Sequence, residues 1–182
     1  MVLGIILLPD DATSKRISTY SDRLAQSGEA TMRLGDGAPP HVTLLHAEFQ
    51  KENGAEWWDA LQSRIPTDIS CSLAGLLFQE IPTGDYYVPE GGVSAGIEIV
   101  RTPLIDLAHK ITLMFAQKLG ASPLGAFGDQ YRPHITLNIF RAFPAGQLVF
   151  DGKLLSGALS LKLALGQLGP YGTFPRVLAV RG

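Results

Sequence analysis

The order of apolar and polar positions near the start of the chain predicts a strand, a helix and a second strand. The apolar run at residues 4–8 has the length of a buried strand. Ile17, Tyr20 and Leu24 then recur at helical spacing behind two acidic residues, which predicts a helix over residues 12–25. A glycine-rich loop follows and leads to the β-prone stretch that carries His41.

The same order recurs in the second half of the chain. A strand over residues 96–100 is followed by Thr102-Pro103, which suits the capped start of a helix. An apolar stripe then predicts a helix that ends at Gly120, and the stripe consists of Leu104, Leu107, Ala108, Ile111, Phe115 and Leu119. A loop leads to the β-prone stretch that carries His134. The parallel order predicts two structurally related halves.

The remaining segments add mostly strands. We expect a helix over residues 56–65, with its tryptophans toward the core, and a strand over residues 68–78. Further strands are expected at 85–88 and 93–100, as a hairpin, and at 159–165 and 176–180. The predicted fold class is α+β with mostly antiparallel sheet. Because neither half could bury its sheet well alone, we expect a single bilobal domain over residues 1–182.

Composition and charge narrow the class of partner. The chain has 182 residues, 46% of them hydrophobic, and a formal net charge of −2, which disfavours a broad surface for long nucleic acids. A small anionic ligand or the end of an RNA remains compatible. The single cysteine, Cys71, lies in an apolar stretch and is expected to be a buried free thiol, as suits a reducing cytoplasm. No apolar run reaches the ~20 residues needed to span a bilayer. We expect a cytoplasmic monomer with no membrane or protein partner.

A five-residue pattern occurs twice, as Pro40-His41-Val42-Thr43-Leu44 and as Pro133-His134-Ile135-Thr136-Leu137. We call residues 41–44 the first motif and residues 134–137 the second motif. The chain has four histidines, and two of them lie in these motifs. Residues two apart in a strand share a face, so each histidine should project together with its threonine.

Two such pairs suit acid–base chemistry on a phosphodiester. One imidazole can deprotonate the attacking oxygen while the other protonates the departing oxygen. The threonine hydroxyls can donate hydrogen bonds to the non-bridging oxygens, which carry the charge of the transition state. This scheme needs no metal and no other cofactor. Strand alternation turns His46 to the opposite face unless a bulge intervenes, and His109 lies off the apolar stripe, where a solvated pair with Asp106 is expected.

The two motifs resemble the paired His-x-Thr-x motifs of the 2H phosphoesterase superfamily, which includes RNA 2′,3′-cyclic phosphodiesterases, also called 2′-5′ RNA ligases. The resemblance covers the whole chain. It implies that the motif strands face each other across a central cleft and that the substrate is a cyclic phosphate or a 2′-5′ linkage in a nucleotide or RNA end. By position, His41 would be the acid and His134 the base, with the roles exchanging in the reverse reaction. Thr43 and Thr136 would hold the phosphate.

Four further residues are candidates for substrate binding. Tyr131 precedes the second motif and could stack on a base or pack internally, and Tyr86 and Tyr87 are adjacent on the predicted hairpin. Arg132 could add positive charge at the mouth of the cleft. Three alternatives stay open: two structural histidines, a nucleotide-binding module without turnover, and an enzyme acting on non-nucleotide phosphoesters, which would have an aliphatic cleft.

Overall fold

The computed structural model describes residues 1–50, 53–148, 150–155 and 157–181. This part of the chain contains four helices and nine strands, with two short 3₁₀ turns at Gly128–Gln130 and Pro170–Gly172. In chain order the elements are β1 (Val2–Pro9), α1 (Asp11–Ala25), β2 (Ala30–Arg33), β3 (Val42–Glu48), α2 (Gly54–Gln62), β4 (Asp68–Ile81), β5 (Gly92–Ile99), α3 (Pro103–Lys118), β6 (Ser122–Leu124), β7 (His134–Phe140), α4 (Gly152–Leu155), β8 (Ala158–Gln167) and β9 (Arg176–Val180). The prediction of an α+β fold is confirmed.

The strands form a mostly antiparallel sheet in the order β2-β7-β5-β4-β8-β1-β3-β6, with β9 added to β8. Strand β4 belongs to both halves of this sheet. Its first five residues pair with β8, and its remainder pairs with β5. The change of partner coincides with an irregularity between Leu73 and Gly75, where Gly75 has a φ of 144° that a side chain would disfavour.

The pairings follow a pseudo-twofold rule. The segment β1-α1-β2-β3-α2-β4 corresponds to β5-α3-β6-β7-α4-β8, and each pairing in one half has its counterpart in the other. Thus β1–β3 matches β5–β7, β2–β7 matches β6–β3, and β4–β5 matches β8–β1. The short strand and the long helix of each half pack on the other half: β2 pairs with β7 and β6 with β3, while α1 packs on β7 and α3 on β3. This exchange joins the halves into one sheet-centred core.

Helix α1 buries the predicted face. Its N-cap Asp10 accepts a hydrogen bond from the Thr13 amide at 2.8 Å, and Ile17, Tyr20 and Leu24 are buried. Cys71 is a buried free thiol, as predicted, and its burial raises its pKa to about 11. No helix in the described ranges is both long and apolar enough to cross a membrane.

Two local predictions are wrong. The apolar stripe of α3 is wrong at Leu107, which is 51% exposed, whereas its other residues pack in or against the core, beside the buried His109 and Thr112. The predicted strand at 85–88 is also absent: this segment lies in the turn of the β4–β5 hairpin, where the Asp85 side chain caps the amides of Tyr87 and Val88.

Candidate functional site

The two motifs line one cavity of about 380 Å³. His41 precedes β3 and Thr43 lies within it, while His134 and Thr136 lie on β7. Strands β3 and β7 belong to opposite halves of the sheet, so the pseudo-twofold relation brings the two motifs together. The cavity has the size of a small-ligand site.

Both motif histidines are oriented in the same way. The Nδ1–H of His41 donates to the Pro39 carbonyl at 2.8 Å, and the Nδ1–H of His134 donates to the Arg132 carbonyl at 2.8 Å. In each case the acceptor lies two residues upstream, and the intervening residue is a proline, which holds the backbone extended. Fixing Nδ1 as the donor leaves Nε2 of each imidazole as the unprotonated nitrogen available for chemistry.

Desolvation favours the neutral form of both imidazoles in the unliganded protein. Desolvation lowers the pKa of His41 to about 4, and the proximity of His134 lowers it further, against the raising effect of the Pro39 and Gly172 carbonyls. Desolvation also lowers the pKa of His134, while the Arg132 carbonyl opposes this. A bound phosphate anion acts in the opposite direction, since negative charge nearby stabilises the imidazolium.

Each motif strand bulges directly after its threonine. Ile5 pairs with Leu45 but Ile6 pairs with Thr43, so Leu44 is an extra residue in β3. In β7 the register skips Leu137 in the same way, between Ala95↔Asn138 and Gly96↔Thr136. The bulge reverses the alternation beyond the threonine. The side chain of the third residue after each threonine therefore points to the cavity again.

His46 occupies this position in β3 and is the residue that the sequence reasoning excluded. It lines the cavity with only 6% of its surface exposed. Its Nε2 lies 3.4 Å from the Thr43 hydroxyl and its Nδ1 lies 2.7 Å from the Tyr87 hydroxyl. Desolvation lowers its pKa to about 3. The exclusion is wrong because a bulge, the one condition under which alternation would fail, is present at Leu44.

His109 is buried rather than solvated, so that prediction is also wrong. Its Nδ1–H donates to the bulged Leu44 carbonyl at 2.7 Å, and its Nε2 accepts from the Gly128 amide at 2.9 Å. In the other half the Ser21 hydroxyl has the matching role, donating to the Leu137 carbonyl at 2.8 Å and accepting from the Leu34 amide at 3.1 Å. At each bulge one backbone carbonyl loses its partner in the sheet, and a helix of the other half supplies the missing hydrogen-bond donor.

The candidates for substrate binding lie in different settings. Tyr131 and Tyr87 line the cavity, but Tyr131 stacks on His109 at 3.9 Å between ring centroids and donates its hydroxyl to the Thr43 carbonyl. Arg132 also lines it and is paired with Glu98 at 2.7 Å. Tyr86 is 57% exposed and packs edge-on against Tyr87, outside the lining. Their roles in binding stay predictions.

Sequence reasoning missed Phe174, which lies beneath the two histidines of the first half. Its ring centroid is 4.8 Å from that of His41 and 5.4 Å from that of His46. Space for this ring depends on two glycines, because a Cβ at Gly4 or Gly166 would overlap a carbon of the Phe174 ring. The sequence gives no signal for this contact, since Phe174 follows both glycines in an irregular segment.

A scan against protein-family models and a search of curated proteins each gave no significant match. Solved structures do match over nearly the whole chain. TT0787 of Thermus thermophilus is 18% identical with a TM-score of 0.63, over 100% of this chain and 97% of that one. E. coli LigT complexed with 3′-AMP is 18% identical with a TM-score of 0.58, over 98% and 95%. A structure described as a phosphoesterase is 12% identical with a TM-score of 0.56, over 98% and 95%.

These neighbours define the class of fold. The chain has the fold of the 2H phosphoesterases, which confirms at the level of the fold the resemblance carried by the two motifs. Among the described residues, no group of three or more His, Cys, Asp or Glu side chains is placed to hold a metal ion.

Proposed function

We propose that the protein is a phosphodiesterase of the 2H type that opens 2′,3′-cyclic phosphates or cleaves 2′-5′ linkages in nucleotides or RNA ends. The observation that carries this proposal is the matched pair of imidazoles. Each is tied through Nδ1 to the carbonyl two residues upstream, and each lines the same cavity beside its own threonine. A pair of structural histidines has no need of this duplication.

The reaction follows from the two Nε2 atoms. One neutral imidazole takes the proton of a water molecule as the water oxygen attacks phosphorus. The other, protonated imidazole gives its proton to the ribose oxygen as the P–O bond breaks, so the proton count on the pair is restored with the roles exchanged. Thr43 and Thr136 donate hydrogen bonds to the non-bridging oxygens. Acid and base are both supplied by the chain, so the mechanism requires no metal.

The two imidazoles titrate as a coupled pair, because a charge on either one disfavours a charge on the other. Two charged side chains act on His134 in opposite directions: the Arg132 guanidinium lowers its pKa, and the Glu98 carboxylate raises it by less. The assignment implied by the resemblance, with His41 as the acid and His134 as the base, stays a prediction.

The cavity lining offers contacts to a nucleobase. Three tyrosines, Tyr87, Tyr131 and Tyr171, contribute to it, and aromatic side chains are the usual contacts of nucleobases. The lining also contains aliphatic side chains, those of Leu44, Leu45, Ile81, Val88, Leu124 and Ile139, so it fits the non-nucleotide alternative as well. The similar fold of E. coli LigT, solved in complexes with 3′-AMP and with ATP, supports nucleotides as the substrate class. A nucleoside 3′-phosphate is one of the two products that ring opening can give.

The decisive experiment is hydrolysis of the four nucleoside 2′,3′-cyclic monophosphates and of a 2′-5′-linked dinucleotide, with EDTA present. We expect turnover by the wild type and a loss of about 10²-fold or more in His41→Ala and in His134→Ala. Thr43→Ser, which keeps a hydroxyl, is the matched control for Thr43→Ala, and circular dichroism confirms folding of each variant. Turnover that disappears in chelator and returns with metal would contradict the mechanism. Nucleotide binding without turnover of any substrate would instead favour a binding module.

A further inference from the structure

The two halves of the site differ at one pair of equivalent positions. The bulges at Leu44 and Leu137 turn position three after each threonine toward the cavity, and this position is His46 in the first half and Ile139 in the second. The bulge is the same in both halves, but only in the first half does it bring a polar side chain next to the motif threonine. The two threonines are therefore not equivalent.

His46 uses both ring nitrogens within the described structure. Nδ1 faces the Tyr87 hydroxyl at 2.7 Å, and Nε2 faces the Thr43 hydroxyl at 3.4 Å. The Asp85 carboxylate, which accepts from the amides of Tyr87 and Val88, fixes the turn that presents Tyr87. Beneath the imidazole lies the ring of Phe174. A series of hydrogen bonds thus connects Tyr87, His46 and Thr43, from a fixed turn to the cavity wall.

The direction of the hydrogen bonds in this series follows from the ligand. A phosphate oxygen accepts hydrogen bonds, so Thr43 must donate its hydroxyl proton to it. The lone pair of the same hydroxyl is then free to accept from Nε2–H of His46, and Nδ1 must in turn accept from the Tyr87 hydroxyl. The opposite direction would point the Thr43 proton at His46 and away from the phosphate.

The electrostatics of the series agree with this direction. Desolvation lowers the pKa of His46 and raises that of Tyr87, so near neutral pH His46 is neutral and Tyr87 keeps its proton. A neutral imidazole between a donor and an acceptor must take one of two tautomers. Phosphate in the cavity selects the tautomer with the proton on Nε2.

We propose that His46 and Tyr87 are positioning residues that hold the Thr43 hydroxyl as a donor toward the substrate phosphate. This inference rests on the proposed phosphodiesterase function of the same cavity. Among the described residues Thr136, whose equivalent neighbour is Ile139, has no such support, and its hydroxyl is oriented by contact with the phosphate alone.

The kinetic test compares His46→Ile, which copies the second half, with His46→Gln, whose amide can donate to Thr43 and accept from Tyr87. We expect His46→Ile to lower kcat about tenfold, the usual effect of one hydrogen bond made to the transition state. His46→Gln should recover most of this loss. Tyr87→Phe should lower kcat by a smaller factor, because it removes only the preference between tautomers.

Double variants separate positioning from a general structural effect. In a Thr43→Ala background the change His46→Ile should have almost no further effect on kcat, since the hydroxyl it orients is gone. In a Thr136→Ala background the tenfold loss should remain. An equal loss in both backgrounds, an unchanged kcat in His46→Ile, or a His46→Gln variant as impaired as His46→Ile would overturn the inference.

The tautomer of His46 gives a test that does not depend on turnover. In ¹⁵N NMR spectra of the wild-type protein saturated with inorganic phosphate, we expect the His46 proton on Nε2. A proton on Nδ1 would overturn the inference. A wild type that hydrolyses none of the substrates would refute the proposed function instead, while the NMR result would still judge the hydrogen-bond direction.

Discussion

Because His46 is buried, we expect the free energy of unfolding to fall in mild acid, and we expect a substitution of His46 to abolish that fall. His46 has a pKa of about 3 in the folded protein, because desolvation disfavours its charged form. Its pKa in the unfolded chain is about 6.5. The unfolded state therefore binds the proton first, and protonation favours unfolding as the pH falls below 6.5.

The magnitude follows from the unfolded state. At pH 5 an unfolded histidine of pKa ~6.5 is stabilised by its proton by about 2 kcal/mol, while at pH 7.5 the effect is about 0.1 kcal/mol or less. Folded His46 gains almost nothing over this range, since its own pKa lies well below 5. The free energy of unfolding should thus fall by about 2 kcal/mol between pH 7.5 and pH 5 on account of His46 alone.

Urea unfolding at the two pH values, on the wild type and on His46→Gln, isolates this contribution. The glutamine does not titrate, and the other three histidines remain in both proteins, so the difference between the two pH dependences belongs to His46. We expect the variant to lose about 2 kcal/mol less than the wild type on acidification. Superimposable pH dependences would refute the reasoning, because they would mean that folded His46 accepts a proton near pH 6.5.

Three further predictions follow from the same structure. The pH profile of kcat/KM should have its optimum on the acid side of neutrality, because the base must be neutral and the acid protonated in a pair whose pKa values are both lowered, that of His41 to about 4. An optimum above pH 7 would contradict this. Gly166→Ala should lower the free energy of unfolding by about 1–3 kcal/mol in thermal or urea unfolding, since its Cβ would meet the Phe174 ring, whereas Gly37→Ala, in open space, should change it little. His109→Leu should cost about 2 kcal/mol or more in urea unfolding, because it leaves the Leu44 carbonyl without its buried donor; a cost under about 0.5 kcal/mol would show that the carbonyl finds another partner.

Sequence periodicity recovered the elements whose apolar faces are continuous. The helix carrying Ile17, Tyr20 and Leu24 and the strands that carry the motifs are of this kind. The short strands Ala30–Arg33 and Ser122–Leu124 were not predicted, because neither has an apolar run. Their place is decided by pairing with the motif strand of the other half, and sequence within the segment does not encode that pairing.

The errors at His46 and His109 have one origin. His46 was placed by the two-residue alternation of an ideal strand, and His109 was placed by its position relative to the apolar stripe of the helix. The extra residue Leu44 breaks the first period, and its released carbonyl draws His109 into the core. The recurrence of leucine directly after each threonine is the available signal, since it marks the bulged position in both halves, but its meaning depends on the register with β1 and β5.

The duplicated architecture explains why the differences between the halves are informative. Equivalent positions share backbone geometry, so a change of side chain there is not forced by the fold. Ser21 and His109 differ in size yet make the same two kinds of hydrogen bond, which marks their role as structural. Ile139 and His46 differ in the bonds they make, because only His46 links a threonine of the cavity to a second polar group. A reaction that moves a proton from one imidazole to the other is itself directional, and a site for it can use two unequal phosphate contacts. On this reasoning the asymmetry at Thr43 belongs to the chemistry of the cavity and not to the packing of the sheet.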